Sequence, residues 1–451
     1  MNVPEIEKKL GINVYATKTA GFEGVIRREP EDFIVEEILI NGAKASVIPV
    51  ESPSRLDRYL VCVLVKRNWD TLLAVRTIAQ QLRVDHERIA IAGIKDTKAV
   101  TAQHISLYGV RPEEISCIRI KNARVYPVYY AEEKISVKLL FGNQFSMIIN
   151  SIPLENSKVE KLVNATKDEL SVLGGVPNFF GHQRFGTVRP VTHLVGKAIV
   201  EGDLEEAAFI FLAYSGEYEY PAAAEAREKL RETKDLKEAF KGFPTRFKYE
   251  RFMLKHLVSY PNDFLGAFRK LPRKLRELFV QAYQSYLFNQ ILSERIGQGI
   301  RLNEAYVGDY VTAFEEHGLP SENGEIATAE TLSDLNKAVE EGRSCVAIPL
   351  IGFKQPLSSG GQGEIEQKIL EEENVKPENF KFSAMHEVSA TGGLRAVLTP
   401  LIEFVADKPI EDALNPLKCK LRLSFALHKG SYATVPLREF MKPQNPIEAG
   451  F

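Results

Sequence analysis

Between about residue 196 and residue 390 the apolar residues change their spacing, and this change constrains the fold more than any bulk property of the chain. Inside that region helical spacing dominates, over 203–214, 221–241 and 271–297. The last stretch starts near Pro272, which suits a first helical turn, and stops at Gly297. Polar spacers punctuate the region at 319–331 and 355–379. The second contains Ser358-Ser359-Gly360-Gly361-Gln362-Gly363, which reads as a flexible loop. It is not a phosphate-binding loop, because no Gly-Lys-Ser/Thr follows. Outside the region the period is that of strands. Leu421, Leu423, Phe425 and Leu427 alternate with Arg422, Ser424 and Ala426, as a half-buried strand requires. After Pro30 a strand begins, with Phe33 and Val35 on one face. Taken alone, Phe33 reads as a core residue.

Shorter signals fill in the rest. Asp70 or Thr71 caps a helix whose inward residues are Leu72, Val75, Ile78, Ala79 and Leu82. The run Ile89-Ala90-Ile91-Ala92 has the branching of a buried strand, and Gly93 then lets the backbone turn. Asp96 lands on the loop beyond, with Lys95 and Lys98 beside it. A carboxylate among cations should stay ionised at neutral pH. An isolated Lys-Asp pair would be a turn or a surface ion pair. Ile135, Val137 and Leu139 alternate as on a sheet face, Gly142-Asn143-Gln144-Phe145 interrupts, and Ser146 resumes the strand. Asn143 beside a glycine fits a bulge, and less readily an amide aimed at a ligand. Ser157-x-x-Glu160 is a capping-box pattern, and Gly174-Gly175 supplies the stop. The segment Val176 to Gly186 holds three aromatics, two glycines, a proline and Arg184, and has no regular period. Arg184 can hold a phosphate or carboxylate with its fork of donors, or can tie a structural loop.

Composition narrows the class. A chain of 451 residues makes two or three domains, and 44% apolar with 26% charged residues is an ordinary globular balance. There is no run of ~18 apolar residues to span a membrane. The first residues lack the apolar core of a signal peptide. Cys62, Cys117, Cys345 and Cys419 are far apart and form no C-x-x-C, so a reducing, cytoplasmic setting is expected. The eight histidines are scattered, which argues against a zinc site. A net charge of −2 does not mark a nucleic-acid binder. Between Lys241 and Arg276, however, ten Lys/Arg face two acids, with Phe243, Phe247, Tyr249 and Phe252 interleaved. Cations beside rings suit RNA; a solvated helix face with core aromatics is the competing reading.

Five stretches together resemble the TruD family of tRNA pseudouridine synthases. They are Pro30 to Phe33, Gly93 to Gln103, Asn178 to Gly186, Gln284 to Asn289 and Lys429 to Glu439, in the family's order and across nearly the whole chain. The resemblance implies an α/β fold with a mixed, largely antiparallel sheet. It implies a catalytic domain in two parts, 1–178 and 396–451, with a helix-rich insert over 179–395 whose compact body spans about 196–390. The insert is of the longer, archaeal type. Asp96 would be the catalytic aspartate. Phe33, Asn143, Phe145 and Tyr432 would line a uridine pocket; some bacterial members have Phe where this chain has Tyr432. Lys95, Arg184 or Arg395 would keep Asp96 charged and grip a neighbouring phosphate, with Arg184 preferred. The substrate would be tRNA, at uridine 13. No cofactor or metal, no membrane and no protein partner are expected, and the chain should act as a monomer. Two other functions compete: a non-catalytic RNA-binding or RNA-folding protein, and a methyltransferase. The latter needs a cofactor loop after its first strand, and none is visible.

Overall fold

The computed structural model describes residues 2–47 and 58–451. Six strands come first: β1 Phe33–Leu39, β2 Tyr59–Arg67, β3 Ile89–Ile91, β4 Val100–Tyr108, β5 Ala123–Ala131 and β6 Leu140–Ile152. The middle of the chain adds β7 Val176–Pro177, β8 Tyr310–Ala313, β9 Glu325–Ile326, β10 Ser344–Leu350, β11 Gly393–Ala396 and β12 Leu398–Thr399. The end adds β13 Ile402–Ala406, β14 Ile410–Glu411 and β15 Cys419–His428.

One nine-stranded sheet draws on both ends of the chain, in the order β13-β15-β6-β1-β4-β2-β5, with β14 against β15 and β3 against β4. The β1–β4 pair is parallel, and the other pairs are antiparallel. The fold is thus a mixed α/β one with a mainly antiparallel sheet. β1 buries every second residue, so Phe33, Val35 and Glu37 share a face. β6 lays Met147, Phe145 and Asn143 directly opposite those three. β15 continues the same rows with Leu423, Phe425 and Leu427. The alternation expected over 421–427 therefore buries its apolar face. That face joins a core that extends to Phe279, Val280 and Leu287 of the helix Arg273–Gly297. Toward the β5 edge of the sheet Leu60, Cys62 and Leu64 pack on Ala74, Val75 and Ile78 of the helix Thr71–Leu82.

β8 to β11 form a separate four-stranded sheet inside the helical region. β7 and β12 pair with each other, so the chain leaves and re-enters the larger sheet side by side.

Asp70 caps the helix at Thr71, accepting from Leu73 N at 2.9 Å. Ser157 does not cap: the helix Asn156–Leu173 already starts at Asn156, which leaves Ser157 inside the first turn. The stretch 221–241 is two helices, Pro221–Thr233 and Leu236–Gly242, because Lys234 adopts a left-handed conformation and Asp235 caps the second. Ser358 to Gly363 is not a flexible loop, since a helix runs over Gly360–Glu372. Burial explains this: Glu366 and Gln362 face inward, and Glu366 accepts from Ser358 N at 2.8 Å. β6 is not broken at Gly142-Asn143. The register shift lies one residue earlier, at Phe141, and Asn143 sits in a regular ladder. Gly142 is needed there, because a Cβ would lie 2.0 Å from Leu427 O.

Candidate active site

The loop that carries Asp96 is braced from behind by three side chains. Gln103, on β4, donates from Nε2 to Gly93 O at 3.0 Å. The hydroxyl of Thr71 accepts from Lys95 N at 3.2 Å. Lys66, fully buried on β2, donates from Nζ to Asp96 O at 2.7 Å and to Lys95 O at 3.4 Å. Burial pushes the Lys66 ammonium down to about 8, against the pull of Asp96 and Asp70. A desolvated cation is tolerated here because it satisfies carbonyls that the turning backbone leaves without partners.

So held, the Asp96 side chain, 38% exposed, lies at a cavity of about 290 Å³. Phe33, Val35, Asn143 and Phe145 of the sheet form its floor, and Lys429 to Thr434 close the far side. Five of the expected residues, Phe33, Asn143, Phe145, Lys95 and Tyr432, thus line one cavity with Asp96. The cation paired with Asp96 is Arg27, whose Nη2 lies 3.5 Å from Asp96 Oδ1. Its guanidinium also lies 4.0 Å over the Phe33 ring, the separation of a cation–π contact. Burial lowers the affinity of Arg27 for its proton, and Asp96 opposes that. One face of Phe33 is therefore covered, and the half-exposed ring in the cavity is that of Tyr432.

Lys95 points elsewhere. Its Nζ lies 2.9 Å from Glu37 Oε1 and donates to Asn143 Oδ1 at 2.7 Å. Glu37 is fully buried; burial would raise its pKa, but the His104 and Lys95 contacts outweigh that and lower it. The Asn143 carbonyl is therefore oriented by Lys95, and among the described residues no acceptor meets its NH2 group.

Arg395 and Arg184 do not line this cavity. Arg395 joins Asn178, the residue just past β7, to the cavity wall. It donates to Asn178 O at 3.0 Å, to Asn178 Oδ1 at 2.7 Å and to Gly430 O at 3.0 Å. Asn178 Oδ1 also accepts from Ser431 Oγ at 3.1 Å. Arg184 donates to Ser285 Oγ at 3.0 Å and Gln281 Oε1 at 3.3 Å. Both guanidiniums stack on Phe180, whose ring meets Tyr432 edge-on at 6.1 Å. They thus reach the cavity through Phe180 and Tyr432. Asn289 fixes the same loop, accepting from Phe180 N at 2.8 Å and donating to Phe180 O at 3.0 Å.

The basic stretch splits in two. Arg251 and Arg269 donate to backbone carbonyls, while Arg273 and Arg276 pair with Glu277 and Glu387. Lys241, Arg246, Lys248, Lys255, Lys270 and Lys274 remain exposed. The helix Lys248–Ser259 shows solvent Tyr249 (44% exposed) and Phe252 (49%) beside Lys248 and Lys255. Arg246 stacks on Tyr220 at 3.7 Å.

Sequence reasoning missed Arg27, Lys66, Glu37 and His104. Arg27 carried a weak signal, being three residues before the Pro30 to Phe33 motif. The others sit within strands, where nothing in their neighbours marks a buried charge.

The comparisons with known proteins agree with this architecture. The family model for tRNA pseudouridine synthase D (TruD) matches residues 9–440, and the chain belongs to that family. Among its relatives, a protein of Methanosarcina acetivorans named "Probable tRNA pseudouridine synthase D" is 43% identical over 98% of both chains. A Thermococcus sibiricus protein of the same name is 36% identical, covering 95% of this chain and 97% of its own. A crystal structure of a TruD protein from Methanosarcina mazei superposes with a TM-score of 0.84 at 42% identity, covering 99% of this chain and 100% of its own. Among the described residues no helix is long and apolar enough to cross a membrane, and no cluster of three or more His, Cys, Asp or Glu could hold a metal.

Proposed function

We propose that this chain converts a uridine of tRNA, at position 13, to pseudouridine, with Asp96 as its catalytic group and no cofactor. The observation that carries this reading is the Asp96 carboxylate paired with Arg27 at the mouth of a cavity walled by Phe33, Asn143, Phe145 and Tyr432. The reaction is redox-neutral and keeps every substrate atom. The N1–C1′ bond breaks, the base turns, a C5–C1′ bond forms, C5 loses its proton and N1 gains one. A carboxylate beside the ribose can attack C1′, take the 2′ proton or offset a cationic sugar. Arg27 would hold that carboxylate in place. The target base must leave its stack to reach Asp96, and the Tyr432 ring offers it a new one. Asn143, its carbonyl oriented by Lys95, can present its NH2 to a uracil carbonyl.

The side-by-side crossing of β7 and β12 supports a catalytic domain split at about 178 and 396, with the insert between. The exposed cations and rings of the helix Lys248–Ser259 support a second contact of that insert with the tRNA. The non-catalytic reading gains nothing from this geometry, since a binding module needs no carboxylate–guanidinium pair in its cavity.

Asp96→Asn should abolish pseudouridine formation while tRNA affinity stays within about tenfold of the original. Pseudouridine made by that variant would overturn the role of Asp96. Chemical mapping of pseudouridine on total tRNA, with no added cofactor, tests position and cofactor together. A product at another uridine, or none without a cofactor, would refute those parts.

A further inference from the structure

Two more cavities continue the cleft beyond Asp96. The Asp96 cavity shares Lys429 and Ser431 with a middle cavity. The middle cavity shares Leu398 and His428 with a third, of about 350 Å³. The third lies where the two sheets meet. His428 ends β15, Phe314 directly follows β8, and Cys345 and Val346 belong to β10.

The lining changes along this path. At the junction Lys429 is half-exposed, its Nζ 3.4 Å from Val137 O, and no acid pairs with it among the described residues. The third cavity has no Lys, Arg, Asp or Glu in its wall. Burial pushes His428 down to about 4 and Cys345 up to about 12, so both are neutral at physiological pH. The His428 ring lies between Phe141, at 5.1 Å, and Phe314, at 6.5 Å. Asn303 and Ser344 add polar groups to otherwise apolar walls. Two cations, Lys429 and Arg395, line the middle cavity against one acid, Glu322, and a neutral, ring-lined recess follows; this order matches the two halves of a nucleotide, an anionic phosphate and an uncharged flat base.

We propose that the third cavity receives an unstacked nucleobase from the strand flanking the target uridine. The base sits against Phe314 and His428, with its edge toward Asn303 and Ser344, and Lys429 meets an intervening phosphate. This rests on the RNA-isomerase reading above and extends it. The enzyme would hold two extruded bases of one strand, the second fixing how far along the RNA the target lies. Specificity would then come partly from a base that undergoes no reaction.

The test uses RNA substrates carrying one abasic site at each of the four positions on either side of the target. Affinity and single-turnover rate are measured for the unmodified chain, Phe314→Ala and the cavity-filling Ser344→Trp, with melting curves to confirm folding. One abasic position should weaken binding by the unmodified chain about tenfold. Phe314→Ala and Ser344→Trp should each lose a similar factor on intact RNA and lose nothing more at that position. If no position is sensitive, or both variants lose the same factor at every position, the subsite does not exist. If the unmodified chain makes pseudouridine on intact RNA yet shows no such coupling, only this inference fails. If it makes none, the isomerase reading falls and this one with it.

Discussion

Replacing Lys66 by methionine separates the needs of the fold from those of the site. Lys66 is fully buried, and its pKa falls from 10.5 to about 8 because burial disfavours its charge. That drop corresponds to about 3 kcal/mol. Below pH 8 both folded and unfolded chains carry the proton, and the folded state bears the whole cost. Between pH 8 and 10.5 the unfolded chain still binds a proton that the folded one has released, so stability from this group rises with pH. Lys66→Met removes the cost, but it leaves Asp96 O without its donor, at roughly 1–3 kcal/mol, while Lys95 O keeps the Thr71 hydroxyl at 3.4 Å. The two effects nearly cancel at pH 7, and global stability should shift by less than about 2 kcal/mol. The gap between original and variant should then move by about 2 kcal/mol in favour of the original between pH 7 and 9.5, because only the original contains the titrating group. Activity should not be spared. The Asp96 loop loses its charged anchor, and single-turnover pseudouridine formation at pH 7 should fall tenfold or more. Denaturant unfolding at the two pH values, with the turnover assay, checks both parts. A gap that is the same at pH 7 and 9.5 refutes the electrostatic argument. Full activity in a folded variant refutes the bracing argument.

Arg246→Glu with Lys248→Glu should weaken tRNA binding and flatten its dependence on salt, read from affinities at several ionic strengths, while Asp96 chemistry on saturating tRNA is unaffected. Unchanged affinity would return that face to an ordinary solvated surface. Arg395→Met removes the bonds from Arg395 to Asn178 and Gly430, so the wall carrying Tyr432 loosens. The turnover rate should drop more than affinity does, and the melting temperature should fall by several degrees, since the Asn178 carbonyls lose a charged donor. An unchanged turnover would separate Arg395 from the cavity.

How much was legible in the sequence depended on the distance over which each signal acts. The loop position of Asp96 was readable because an apolar strand, a glycine and a polar loop follow one another within a few residues. The strand at 421–427 was readable because alternation is local. What failed depended on contacts between distant segments. The helix at Gly360 is decided by the burial of Glu366, which a Ser-Gly-rich composition does not reveal. Arg27 is far from Asp96 in sequence, and its pairing exists only once β1 has docked beside β4. Arg184 had the right chemistry to hold a substrate anion, but the helix Arg273–Gly297 presents Gln281 and Ser285 to it. A count of cations likewise could not tell the exposed Lys248 from Arg251, which folds back onto Phe240 and Phe243.

The pairing of β15 with β6 has a consequence for biosynthesis. A ribosome would finish β6 long before it released the segment that lies along it. Until then β6 has an unfilled edge, and the wall that bears Tyr432 has not been made. Nascent chains of this protein should be unable to seat a uridine until they are almost complete, so premature termination yields a sticky fragment rather than a weak enzyme.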